Sequence, residues 1–358
     1  MKKFALTALQ ATITVVLLWW IFSDDALRSG MARTFRSADT NWLLLGIAVA
    51  GIGVLSGICR WRIFLQIQQI PVSWWRTTQL YMIGLFFNLL FLGAIGGDVI
   101  KVLCLAKDNP GRRTAIVLSV VADRLSGLLA LVTVASIFTL GRYGWFTQNP
   151  AAAGMLWFLL GYLVFSVLGV AFSFLVARMG VAEKMPRRVP GRAKFIELSK
   201  SYHLFASAWK PTLCAALISF VGLFAHYGTF YCSGRAFQPS PSLLDMYSIM
   251  PVVDVISSLP IAISGLGVRE KLFEELLGSL SGIPGETALL ISLAGFAVSV
   301  VWSVVGAGIF PFYRSETARR HESIRDLLKG THSLDGVEKN AEPMPTQQSC
   351  SSVGTTNE

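Results

Sequence analysis

Apolar stretches long enough to cross a bilayer dominate this sequence. The hydrocarbon core needs about 20 consecutive apolar residues in a helix, because a shorter run leaves polar backbone in lipid. Six stretches meet the requirement: 4–22, 41–59, 114–140, 151–177, 211–234 and 286–313. Two more, 78–97 and 246–264, are apolar but broken by Gly, Pro and polar residues. The first stretch follows Met1-Lys2-Lys3 as a signal peptide would. Ser23-Asp24-Asp25 then follows without a small-x-small cleavage site, so it reads as a retained span. The expected fold class is an all-α polytopic membrane protein, with about six full spans and two Gly/Pro-broken re-entrant segments.

Composition agrees. Only 15% of residues are charged, where a water-soluble domain carries about 25%. The net charge is nonetheless +10, from 31 Lys+Arg against 21 Asp+Glu. In a soluble chain such an excess would suggest nucleic acid. Here it reflects basic residues held on one side of a membrane, and no nucleic-acid partner is expected. Cys59, Cys104, Cys214, Cys232 and Cys350 form no CxxC and no Cys/His cluster, and the four histidines are scattered. Neither a metal, a cofactor nor a disulfide framework is expected.

The basic residues also choose a topology. If all eight segments crossed, the better orientation would place 17 Lys/Arg inside and 13 outside. If 78–97 and 246–264 dip in and return, with both termini cytoplasmic, the inside holds 23 and the outside 7. The positive-inside rule selects the second arrangement. The two dips then enter from opposite faces. Their sequences are loosely alike, Phe91-Leu-Gly-Ala-Ile-Gly-Gly-Asp98-Val beside Leu259-Pro-Ile-Ala-Ile-Ser-Gly-Leu-Gly267-Val. That is the pattern of an inverted repeat, against the alternative that short Gly-rich runs look alike by chance.

Between the spans, Phe195, Leu198, Tyr202, Phe205 and Trp209 recur at +3 and +4, accompanied by Arg192, Lys194, Lys200 and Lys210 and bracketed by Pro190 and Pro211. This predicts a basic amphipathic interfacial helix near 192–210. Two regions are expected: a membrane domain over 1–313 and a cytoplasmic tail over 314–358. The tail is basic at first, with a short surface helix over 314–329, and disordered beyond. Trp19, Trp20, Trp42, Trp61, Trp74 and Trp75 lie near span ends and suit an aromatic belt.

Charged side chains inside spans are costly and default to functional roles. Asp123 and Arg124 lie about 15 Å into their helix at 1.5 Å per residue. As neighbours they point apart, so each needs a partner on another helix. Asn88, Asp98 and Lys101 belong to the first broken segment; Asp254, Ser257, Ser258, Arg269 and Glu270 belong to the second. Gly96 and Gly97 in the first, and Gly265 and Gly267 in the second, permit tight turns. Arg124 would bind a phosphate headgroup, assisted by Lys101, Arg269, Asn88 and Ser258, because a guanidinium binds oxygens bidentately. Asp98, Asp123, Asp254 and Glu270 would hold the cations. The competing reading is a closed ion-pair network, Arg124 with Asp98 or Asp254, that only staples the bundle. His226 reads as a hydrogen-bonded core histidine, with proton relay as the sharper alternative. No catalytic triad, P-loop or HExxH occurs.

Three blocks carry a family resemblance: Asn88-Leu-Leu-Phe-Leu-Gly-Ala-Ile-Gly-Gly-Asp98-Val-Ile-Lys101, Ala122-Asp123-Arg124-Leu-Ser-Gly127-Leu, and Ser258-Leu-Pro260-Ile-Ala-Ile-Ser-Gly265-Leu-Gly267-Val-Arg269-Glu270. Together they resemble the lysylphosphatidylglycerol synthase transmembrane region, a flippase-like family, over about residues 4–313. The first block departs at Leu92 and Lys101, where that family usually has Pro and Arg. The resemblance implies a bacterial cytoplasmic-membrane protein that binds or translocates an anionic or aminoacylated phospholipid, or a related lipid-linked substrate. It implies no enzyme, since the soluble transferase domain of the best-known members has no counterpart here. Two other readings stand beside it: an ion- or proton-coupled small-solute transporter, and a non-catalytic partner of a separate lipid- or glycan-modifying enzyme.

Overall fold

A computed structural model describes residues 31, 33–90, 96–178, 204–205, 207–257 and 267–313. The span expected at 4–22, Ser258, Gly265, most of the amphipathic segment and the 314–358 tail lie outside the described residues. The described elements are helices: α1 Thr40–Ile67, α2 Trp74–Leu90, α3 Gly96–Asp108, α4 Arg113–Gly141, the single turn α5 Tyr143–Phe146, α6 Pro150–Arg178, α7 Trp209–Arg235, α8 Leu243–Ser257, α9 Val268–Ser281 and α10 Gly285–Ile309. Four of them, α1, α4, α7 and α10 with its short 3-10 extension, are long and apolar enough to span. The 29-residue α6 is also strongly apolar.

Helix α1 outruns the apolar stretch that announced it. Asp39 caps its start by accepting a hydrogen bond from the Asn41 N–H at 2.9 Å. Nothing after residue 59 breaks a helix until Gln69, which adopts positive φ, and Pro71. Eight further residues therefore stay helical and carry Arg60 and Trp61 into the bundle. Trp61 is fully buried, which corrects its expected place in an interfacial belt; its Nε1–H donates to Ser119 Oγ at 3.3 Å. Trp74 and Trp75 are exposed at the start of α2. Pro211 is also reassigned: it stands in the first turn of α7 rather than ahead of it, where a missing N–H costs nothing.

The broken segments form two hairpins, α2/α3 and α8/α9. The 17 residues of α2 rise about 25 Å and cannot cross a 30 Å core alone; the other three arms are shorter. The base of the first hairpin is closed by Arg76 at the start of α2, whose Nη2 donates to Asp108 Oδ2 at the end of α3, at 2.6 Å. The same nitrogen donates to the Tyr313 hydroxyl beyond α10, at 2.7 Å. At the far end of α4, Arg142 donates to Asp245 at the start of α8, at 2.6 Å. The two hairpins thus enter from opposite ends of the bundle.

The internal similarity extends well beyond the hairpins. The series long helix, hairpin, long helix occurs twice, as α1, α2/α3, α4 and as α7, α8/α9, α10. Starting residues pair at a nearly constant offset: Thr40 with Trp209, Trp74 with Leu243, Gly96 with Val268, Arg113 with Gly285. Helices α1 and α7 pack against each other, running in opposite senses, as an inverted repeat requires. Each hairpin has its own core. Trp61, Leu80, Leu105 and Ile116 pack the first, and Met246, Ile249, Phe273 and Leu289 are among the residues packing the second.

The first hairpin closes on glycine. A Cβ at Gly97 would lie 1.8 Å from the Gly84 carbonyl oxygen, which is backbone and cannot yield. Gly97→Ala is expected to destabilise the fold by about 2 kcal/mol through overpacking, read as a lowered melting temperature in detergent. The hairpin geometry has its own test. In a cysteine-free background, Ser73→Cys and Asn109→Cys should react with an impermeant maleimide from one side of the membrane. Ser240→Cys and Gly282→Cys should react from the other.

Candidate functional site

A cavity of about 550 Å³ lies between α1, α2, α4, α7 and α10. Its polar lining includes Arg60, Tyr81, Asn88, Arg124, Ser219 and His226. Each arrives by a simple local rule. Arg60 comes from the extension of α1, Tyr81 and Asn88 from the inner face of α2, and Arg124 from the middle of α4. Ser219 and His226 are seven residues apart, two turns along one face of α7.

Five charges gather at one side of this space, of which Arg60 and Arg124 line it. Asp98, in the first turn of α3, is shared by two cations: Arg124 Nε donates to its Oδ2 at 2.5 Å, and Lys101 Nζ lies 2.7 Å from its Oδ1. A carboxylate in a first turn also gains from the helix dipole. The Lys101 ammonium sits 5.1 Å from the Trp61 ring centre and 5.0 Å from that of Tyr81. The second carboxylate, Asp123, accepts from Arg60 Nε at 2.6 Å, and Arg60 Nη1 reaches Ser219 Oγ at 3.3 Å. Asp123 and Arg124 therefore answer to different helices, α1 and α3. Asn88 acts through the backbone, its Oδ1 accepting the Gly97 N–H at 2.8 Å across the hairpin. Lys101, Asp98 and Asp123 are buried, whereas the Arg124 side chain is 49% exposed.

The second hairpin makes a different arrangement. Gly267 adopts φ +85°, open to glycine at little cost, and its N–H donates to Glu270 Oε2 at 2.6 Å. Arg269 Nη2 donates to Glu270 Oε1 at 2.5 Å, its Nε to Ser292 Oγ at 3.0 Å, and the Ser292 hydroxyl to Glu270 Oε1 at 3.1 Å. The Arg269 guanidinium lies 4.6 Å from the Phe296 ring centre. This cluster is closed: Arg269 and Glu270 are buried and do not line the cavity. Asp254 pairs with His226, Nε2 to Oδ1 at 3.4 Å.

The structure thus assembles Asn88, Asp98, Lys101, Asp123 and Arg124, with Gly96 and Gly97 as the first two residues of α3. It corrects one expectation and selects between two stated alternatives for Arg124. Arg269 and Glu270 belong to their own network on α9 and α10, because the second hairpin enters from the other end. Asp254 faces His226, and the carboxylate on Arg124 is Asp98. Arg60, Tyr81 and Ser219 were not foreseen as site residues. For Arg60 a signal existed: it stands one residue past an apolar stretch with no helix breaker after it, so the helix continues and carries the cation inward. Tyr81 and Ser219 had no such signal.

A buried ion pair that loses one partner leaves an uncompensated charge, so Arg60→Met should destabilise the protein by about 3 kcal/mol. Arg60→Met combined with Asp123→Leu should recover most of that loss, because no lone charge remains. Thermal unfolding in detergent measures both.

Comparison with known proteins identifies the lineage. A UPF0104 membrane protein of Pyrococcus horikoshii is 33% identical over 137 residues, covering 37% of this chain and 38% of that relative. The chain thus matches well under half the relative's length. The lysylphosphatidylglycerol synthase TM region profile matches residues 7–308, which includes every charged residue of both hairpins. This multi-pass membrane protein belongs to the lysylphosphatidylglycerol synthase TM region family.

Proposed function

We propose that the chain binds and translocates an anionic or aminoacylated phospholipid, or a related lipid-linked substrate, with the headgroup in the α1/α2/α4/α7/α10 cavity. One observation carries this reading. Two guanidinium groups, Arg60 and Arg124, line the cavity, and the carboxylates they pair with, Asp123 and Asp98, stand outside its lining. The cavity wall therefore presents positive groups in a low-dielectric setting, which favours an anionic ligand. The Arg124 guanidinium, half exposed, is placed to receive it.

The helix face around Arg124 favours a lipid over a free solute. Val117 and Val121 precede Arg124 by seven and three residues, share its face of α4, and are exposed. That face meets bilayer in a spanning helix, so a headgroup at Arg124 can keep its acyl chains in the membrane. Translocation itself is the chain's activity in this reading, with no bond made or broken, and a separate enzyme makes or uses the lipid. The protein resides in the cytoplasmic membrane with both termini in the cytoplasm, as the basic-residue bias indicates.

In proteoliposomes, Arg124→Gln should slow translocation of fluorescent phosphatidylglycerol at least about tenfold, a loss of about 1.4 kcal/mol. The neutral lipid phosphatidylcholine should be a poor substrate of the unaltered protein. Equal rates for folded Arg124→Gln and unaltered protein would remove the headgroup role of Arg124.

A further inference from the structure

His226 is the titratable residue through which the cavity meets the second hairpin. It lines the same space as Arg60 and Arg124, and its side chain is 41% exposed. On its other side its Nε2 faces Asp254 Oδ1 of α8 at 3.4 Å. Phe230 and Tyr227 confine the ring, with centroids at 5.2 and 5.8 Å. We infer that the cavity binds its anion together with a proton, which is taken up on His226. This rests on the anionic-ligand reading and adds a second ligand to it.

The imidazole meets charges from several helices. Asp254 on α8 attracts the proton and Arg269 on α9 repels it. Arg60 on α1 and Arg124 on α4 line the same cavity. Lys101, Asp98 and Asp123 lie behind those two arginines. Helix α10 presents the neutral Ser299 and Ser303, and α7 and α8 add the phenols of Tyr227 and Tyr247, whose rings meet edge-on. Arg60, Arg124 and Arg269 are each held by a carboxylate of their own, Asp123, Asp98 and Glu270. An anion in the cavity adds a negative charge on the open side of the ring, opposite Asp254. The balance at the imidazole therefore moves toward the charged form when the anion binds.

The proton balance is simple. With Nε2–H held toward Asp254, a proton from solvent adds to Nδ1, and the neutral ring becomes an imidazolium. By linkage, if the anion promotes protonation, protonation tightens the anion equally. Asp254 is then a positioning residue: it orients the ring and steadies the imidazolium. A core histidine that serves packing alone would move no proton on ligand binding.

Isothermal titration calorimetry of the full-length protein in detergent, with dihexanoyl-phosphatidylglycerol as probe, reads this directly. Titrations in two buffers of different ionisation enthalpy count the protons taken up. The unaltered protein should take up a fraction of a proton per lipid between about pH 6 and 8. Its affinity should fall as pH rises, by up to about tenfold per pH unit where a whole proton is linked. His226→Gln should bind the probe with no proton uptake and a flat pH profile. Asp254→Asn should move the pH dependence to lower values. Pairing without uptake in the unaltered protein, or undiminished uptake in His226→Gln, overturns the inference and leaves the anion reading standing. An unchanged profile in Asp254→Asn overturns the part given to Asp254. No binding at any pH overturns the anion reading and this one with it.

Discussion

The carboxylate of Asp98 holds cations from two helices, and the geometry of the cavity follows from that sharing. Asp98 sits in the first turn of α3, near the tip of a hairpin that ends inside the bundle. Lys101 comes from the same helix and Arg124 from α4. Neither cation could be buried alone in a membrane bundle at tolerable cost. One carboxylate is shared between two cations from different helices, so the placement of both depends on where Asp98 is held. The tight approach of Gly97 to the Gly84 carbonyl makes this position possible, since any side chain there would push the two arms apart.

The two repeats share a plan and differ in what they do with charge. In the first, the acid of the hairpin's second arm faces a cation on the neighbouring long helix, and that cation lines an open cavity. In the second, Glu270 occupies the matching third position of its helix but is enclosed by Arg269, Ser292 and the Gly267 N–H. The closed cluster pairs its two formal charges with each other, whereas in the first hairpin Asp98 is shared by cations from two helices. An inverted repeat permits such asymmetry because the backbone plan and the side-chain ligands are separable. His226 and Asp254 lie between the two, on the central helix α7 and the second hairpin, so a change of charge at one is felt by the other.

The bundle surface and the cavity divide the polar and apolar work. Exposed leucines and valines on α1, α4 and α7 face outward, where a bilayer would solvate them. At the base of the first hairpin, Arg76 joins Asp108 and Tyr313, tying α2, α3 and α10 together. Burial pushes the Tyr313 phenol up from its ordinary range, so it stays a neutral donor and acceptor beside that arginine. At the opposite end, Arg142 and Asp245 fasten α4 to α8. These clamps hold each hairpin at its own face and leave the interior contacts to the tips.

Hydrophobic length and charge bias made much of the architecture legible. Runs of 20 or more apolar residues have few ways to satisfy their backbone in lipid, and an uneven distribution of Lys and Arg orients them, so 41–59, 114–140, 211–234 and 286–313 announced the long helices. Broken runs between charged neighbours announced the hairpins, and charges inside apolar runs announced Asp98, Asp123 and Arg124. Three-dimensional packing decided the rest. Arg60 stood just outside an apolar run, Trp61 suited an interfacial aromatic belt and Arg269 was expected at the same site as Arg124. Each lay elsewhere because helix continuation, packing and hairpin direction depend on partners remote in the chain. Sequence by itself determined which groups had to be neutralised inside a membrane, since that cost belongs to each residue. Tertiary structure alone decided which partner met each one, because that depends on distances between helices that no local pattern encodes.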